Sequence, residues 1–188
     1  MISISKIQNG INTKQLNSTI KDIQQRPELG EFKFRVKNNW ISGGHSVSSI
    51  KSYFGIGKEL RTREETFTAE SDQPSVLLGE DHAPSPVEML LHALVSSLTA
   101  TLITHATKQG FTIQSMESSI DGCLDLQGFL GLDTEVRKGY KCLNIAFKVK
   151  SDATAEQLEQ FTRYSPVLDA LINPTPVNIT FKNEQLNQ

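Results

Sequence analysis

The stretch Ser85-Pro86-Val87-Glu88-Met89-Leu90-Leu91-His92-Ala93-Leu94-Val95-Ser96-Ser97-Leu98-Thr99 carries the strongest helix-start signal in the chain. Ser85 can accept from the first-turn amides, Pro86 suits the first helical position, and Glu88 can reach back to close a capping box. The pattern predicts a helix running to about Lys108 and stopped by Gly110. Its apolar residues Leu90, Leu91, Leu94, Val95, Leu98, Leu102 and Ile103 cover much of the circumference, as in a helix covered by partners on several sides. This helix is expected to be the core of the molecule.

Working outward, Leu16, Ile20 and Ile23 recur at helical spacing after an Asn12 cap and before Pro27 and Gly30, which predicts an amphipathic helix over 12–25. Three stretches of strand character follow, Phe32–Trp40, His45–Phe54 and Glu59–Phe67, broken by Gly43-Gly44 and Gly55-Ile56-Gly57. They read as a three-stranded antiparallel meander. Residues 70–84 read as a loop. After the long helix, Ile113–Leu124 and Lys141–Lys150 read as strands, the second alternating Leu143, Ile145, Phe147 and Val149 against polar or small residues. A second helix opens near Asp152, Pro166 must interrupt or restart it, and Val177–Phe181 reads as a last strand entered through the turn 173–176. The fold class is α+β, with antiparallel strands packed around the long helix.

The chain has 188 residues and a net charge of -2, suited to one domain and without the basic excess that nucleic-acid binding demands. No stretch looks like an uninterrupted apolar membrane span, and residues 1–10 lack the charged start and apolar middle of a leader. The expectation is a cytoplasmic protein without nucleic-acid or membrane partners. Two cysteines, Cys123 and Cys142, are too few for a secreted disulfide framework. Neither they nor His45, His82, His92 and His105 show metal-ligand spacing, so no metal and no cofactor are expected.

The helix at 85–99, with Tyr164-Ser165-Pro166-Val167, resembles segments of the OsmC/Ohr family of peroxide-handling proteins. Asp125-Leu126-Gln127-Gly128-Phe129-Leu130-Gly131-Leu132-Asp133, the stretch from Ser165 to Val177, Trp40 and Gly44-His45-Ser46 resemble one OsmC-like subgroup. The resemblance covers roughly residues 31–182, preceded by an N-terminal extension (1–30) and followed by a tail (183–188). It implies an OsmC-like fold and an intertwined homodimer with active sites at the interface, where a small apolar or peroxide-like ligand would bind. Family enzymes use one cysteine to attack the peroxide and a second to form a disulfide, tuned by an arginine and a glutamate. Carried over, the cysteines fall on Ser97 and Ser165 and the glutamate on Val87, with Glu88 the nearby acid; Arg35, Arg61 and Arg63 all remain open for the arginine.

A serine hydroxyl ionises far above physiological pH and lacks the thiol's oxidation ladder, so Ser97 cannot replace a peroxide-attacking thiolate. As alternatives, Ser97 is a small packing residue in line with Ala93 and Thr101, a polar ligand contact, or a hydrolytic nucleophile. The last would need a base and an oxyanion hole, and His92 lies five residues away on the helix, pointing elsewhere. Ser165 is a helix cap or a site residue. Glu88 is a capping-box partner or an acid-base group, and His45 a strand-start residue or a ligand contact. Cys123 and Cys142 share the polar parity of their strands and are either unrelated thiols or a pair that has taken over the redox role. The leading expectation is therefore a stress-related OsmC-like protein without thiol peroxidase machinery, keeping a binding pocket. Its rivals are a hydroperoxide reductase using Cys123 or Cys142, and a serine-dependent hydrolase.

Overall fold

The computed structural model describes residues 7–173 and 175–184. Residues 1–6, Pro174 and 185–188 lie outside the described residues, and with them the start of the N-terminal extension, one proline of the expected turn and most of the tail. A small hairpin of β1 (Ile7–Gln8) and β2 (Ile11–Asn12) leads into α1 (Thr13–Gln25). Asn12 caps α1, its side chain accepting from the Gln15 amide at 3.1 Å. Asn9 stitches this segment to the centre of the protein: its amide donates to Thr107 Oγ1 and to the Phe111 carbonyl, and its carbonyl accepts from the Ile113 amide.

The meander consists of β3 (Lys37–Ser42), β4 (His45–Ile50) and β7 (Phe67–Ser71), antiparallel in the order β3-β4-β7. Gly43-Gly44 makes the first turn as expected. The expected strand over 59–67 is not one strand. Between β4 and β7 stand β5 (Tyr53–Gly55) and β6 (Lys58–Leu60), a separate hairpin closed by Ile56-Gly57 at φ of 48° and 75°. A two-residue turn with both φ positive locks its flanking strands to each other, so Lys58–Leu60 returns on Tyr53–Gly55 rather than on β4. The chain then bends through Arg63, whose guanidinium sits over the rings of Tyr53 and Phe67.

Helix α2 (Pro86–Gln109) follows, with the predicted capping box at Ser85 and Glu88 and a left-handed Gly110 closing it at φ 88°. By length and composition it could cross a membrane, although its apolar residues do not form an uninterrupted run. In this fold it packs against α1, against β8 (Ile113–Cys123), and against α4 (Ala155–Thr162) and α5 (Pro166–Ile172). Between β8 and its antiparallel partner β9 (Cys142–Ser151) lies the short α3 (Leu126–Phe129). The alternation along β9 holds, with Leu143, Ile145, Phe147 and Val149 on the more buried face. Pro166 restarts the helical segment as α5, capped by Ser165.

Leu102 and Ala106 of α2 and Phe161 of α4 form the buried centre, with Phe111, Ile113, Met116, Phe147 and Leu158 packed around them. The predicted last strand at Val177–Phe181 does not form, since no described strand of this chain runs beside it to supply ladder partners. Val177, Ile179 and Phe181 stand exposed instead. Because Phe161 is 2% exposed at the α2–α4 contact, Phe161→Ala should lower unfolding stability by about 3–5 kcal/mol. Urea denaturation monitored by circular dichroism checks this, and a loss below about 1 kcal/mol would show that this contact is not the core.

Candidate functional site

Ser97 lies in the middle of α2 and Ser165 at the cap of α5, 68 residues apart in sequence, yet their hydroxyl oxygens are 2.9 Å apart. Two constraints bring them together. The long helix presents Ser97 toward α5, and Ser165 must sit at the start of α5 because Pro166 cannot continue the preceding helix. Ser165 is fully buried, and its Oγ also accepts from the Leu168 amide at 3.2 Å, so the expected capping role is real and coexists with the contact to Ser97. The hydroxyl of Thr101, one turn on, donates to the Ser97 carbonyl at 2.7 Å.

A cleft beside the serine pair is lined by Ala100, Thr101, Thr104, His105, Tyr164 and Pro166 as well as Ser97. His105 is the residue that sequence reasoning passed over. Eight residues beyond Ser97, it returns to the same face of the helix after two turns, a spacing that could have flagged it. Its ring stacks on Tyr164 at 4.2 Å, and burial, followed by the Lys108 charge, lowers its pKa from the ordinary histidine value. It is held as a neutral stacking partner, and the Ser97 hydroxyl is bonded to Ser165 rather than to an imidazole. That arrangement does not supply a hydrolytic nucleophile with its base. His92 is exposed.

Glu88 is committed to the cap. Its Oε2 accepts from the Ser85 hydroxyl at 2.6 Å and from the Ser85 amide at 2.8 Å, and these two bonds lower its pKa against the opposing effect of partial burial. Val87 gives its carbonyl to the Tyr140 hydroxyl at 3.0 Å. The three candidate arginines belong to the meander region: Arg35 pairs with Glu59 at 2.7 Å, Arg63 donates to the Lys51 carbonyl, and Arg61 lies close enough to Glu59 to help lower its pKa. None of them is among the residues lining the serine cleft.

An apolar trough runs along the side of α2 in two adjoining cavities. One, of about 490 Å³, lies against Leu98, Leu102, Phe147, Val149, Leu158 and Leu168. The other, of about 600 Å³, lies against Val87, Leu90, Leu94, Tyr140, Leu171 and Ile172, with Cys142 at its wall. Ile145 and Leu168 line both.

Cys123 and Cys142 are neighbours across the β8–β9 pair. They are directly opposed in the β8–β9 register, both free and both exposed. Opposed residues of an antiparallel pair have Cα atoms about 4.5–5.5 Å apart, inside the range a disulfide spans. Their shared outward parity is legible from strand alternation, whereas their register depends on a bulge near Ser115 and on the length of the 124–141 connection. His45, the first residue of β4, comes together with Glu70 and His82, one ligand atom from each lying within 4.8 Å of the others. Such a set could hold a cation, although its spacing in sequence matches no metal motif.

Among solved structures the fold is similar to an OsmC-like protein from Mycoplasma pneumoniae, at 14% identity over 76% of this chain and 89% of that one, with a TM-score of 0.54. It is also similar to an osmotic stress induced and detoxification response protein from Psychrobacter arcticus 273-4, at 13% identity over 72% and 85%, TM-score 0.51. An OsmC-like hydroperoxide resistance protein from Jannaschia sp. CCS1 aligns at 12% identity over 82% and 94%, TM-score 0.41. No curated protein matches the chain. The OsmC-like protein family model matches residues 79–180, which include α2, Ser97 and Ser165. The chain belongs to the OsmC-like family.

The capping box gives a pH-dependent prediction. Glu88 has a folded pKa below its ordinary, unfolded value, so its contribution is complete above the unfolded value of about 4.3 and fades as pH falls through the lower folded value. Ser85→Ala should cost about 1 kcal/mol at pH 7, and Glu88→Gln should reduce stability at pH 7 while converging with the unmodified protein near pH 3. Urea midpoints at the two pH values measure it; a difference that grows on acidification would contradict the assignment.

Proposed function

We propose that this OsmC-like protein does not carry out thiol peroxidase chemistry at the family site and acts as a homodimer that binds a small apolar ligand in the trough beside α2. The Ser97–Ser165 contact carries the reading. Reducing a hydroperoxide to an alcohol and water needs two electrons, which a thiol pair supplies by becoming a disulfide; two hydroxyls have no equivalent oxidation. At the two positions where the resemblance puts the family's cysteines, the side chains do meet at 2.9 Å, but through oxygen.

The dimer reading rests on exposed apolar surface. The chain exposes 14568 Å², against roughly 9,000 Å² for a compact monomer of this length. Only 17% of the most apolar window of α2 is buried within the chain, and Trp40, Phe34, Val177, Ile179 and Phe181 are largely exposed. A second copy covering α2 and supplying a strand edge to Val177–Phe181 would account for both features, and obligate dimers bury areas on this scale.

A second reading is favoured by the opposed cysteines. Cys123 and Cys142 could together reduce an organic hydroperoxide, giving the alcohol, water and a disulfide, with an external thiol restoring the pair.

Three outcomes separate these readings. The unmodified protein should run as a dimer in sedimentation analysis and should not accelerate thiol-coupled consumption of an organic hydroperoxide above buffer. The Ser97→Cys/Ser165→Cys variant, made with Cys123→Ser and Cys142→Ser, should form an internal disulfide on hydroperoxide treatment. Turnover by the unmodified protein that disappears in Cys123→Ser/Cys142→Ser would establish the second reading and overturn the first.

A further inference from the structure

We propose that His45, Glu70 and His82 form a binding site for a divalent transition-metal ion of the zinc type, with Asp72 as the residue that orients His82. The site begins in the β4–β7 register. Val47 is paired with Glu70, so His45, two residues before Val47, and Glu70 fall on one face of the sheet as diagonal neighbours. Asp72 is 2% exposed, at the point where the chain leaves β7. Its carboxylate accepts from the Gln73 amide at 2.8 Å and from the Glu80 amide at 2.9 Å, which folds the 73–80 loop back on itself. Two glycines allow that closure. A Cβ on Gly44 would lie 2.5 Å from the Gln73 side chain, and one on Gly79 would collide with the Gln73 backbone. The result carries His82 to His45, their rings 4.4 Å apart and edge-on.

Three features of this cluster point to a cation. His45 Nε2 is sealed from solvent and has no hydrogen-bond partner among the described residues; Glu70 Oε2 is 3.5 Å away, beyond good hydrogen-bond distance. A sealed imidazole nitrogen left unpaired is costly, and a shared cation would satisfy it together with the Glu70 carboxylate. His82 Nδ1 faces Asp72 Oδ2 at 3.2 Å. Donating Nδ1–H to a carboxylate leaves Nε2 as a lone-pair donor, the arrangement by which buried carboxylates orient metal-binding histidines. Finally, the immediate charge is negative: besides Glu70 and Asp72, Glu80 lies 3.8 Å from His82 Nδ1.

Two imidazoles with one carboxylate suit zinc, cobalt, nickel or ferrous iron better than magnesium or calcium, which favour all-oxygen sites. Ligand bonds of about 2.0–2.2 Å require ligand atoms roughly 3.3–3.6 Å apart in a tetrahedron. His45 Nε2 and Glu70 Oε2, 3.5 Å apart, already meet that spacing, and the exposed His82 ring is the member that would move to close the set, now within 4.8 Å, on an ion. Three protein ligands leave a fourth position open.

The test uses untagged, chelator-stripped protein carrying Cys123→Ser and Cys142→Ser, so that the opposed thiols cannot bind the probe. Titration with Zn²⁺ by calorimetry, and with Co²⁺ by visible absorption, should show one ion per chain. His45→Ala and His82→Gln should each weaken binding at least a hundredfold, and Asp72→Asn about ten- to a hundredfold. His82 is exposed, so His82→Gln should keep the far-ultraviolet circular dichroism unchanged. Uptake that survives His45→Ala and His82→Gln at undiminished affinity overturns the proposal, as does failure of the parent protein to bind either ion.

Discussion

A long helix that is apolar over most of its circumference can be stable in water only if other elements cover it on several sides. Helix α2 imposes that requirement on the whole chain. Helix α1, strand β8 and helices α4 and α5 pack on it and bury Leu94, Leu98, Leu102 and Ala106 to 2% exposure or less, while most of its apolar window stays open. The requirement also positions the site. Because α5 must lie against α2 and must start at Pro166, the residue before that proline is delivered to the middle of α2, where Ser97 waits.

The geometry of the two serines is what gives the OsmC-like assignment a chemical content. Helix packing brings the two positions within hydrogen-bond distance of each other. A thiol pair in this place could be oxidised and restored; a hydroxyl pair serves to cap α5 and to bridge it to α2. Glu88, in the first turn of α2, is likewise spent on structure, since it holds the start of the helix through two bonds to Ser85.

Local signals in the sequence are legible because they are local in physics. The capping box at Ser85, the Asn12 cap, the Gly110 stop and the inward alternation of β9 each depend on a few neighbouring residues. Features that depend on distant register were not legible. Gly55-Ile56-Gly57 reads as the second hairpin turn of the meander, but it closes a separate hairpin of β5 and β6. The opposition of Cys123 and Cys142 depends on how β8 and β9 slide past one another, and the meeting of His45 with His82 depends on a loop folded around Asp72. Val177–Phe181 has a strand's alternation and no strand beside it among the described residues, so pattern alone could not give its structure.

The most direct measurement of the central claim is product analysis with thiols removed. The Cys123→Ser/Cys142→Ser protein, containing no other cysteine, would be incubated with a stoichiometric organic hydroperoxide, the alcohol quantified, and the peptides bearing Ser97 and Ser165 weighed by mass spectrometry. The hydroperoxide should be recovered quantitatively and the peptide masses should be unchanged. Alcohol formed in proportion to protein, or a mass change at either serine, would contradict the central claim.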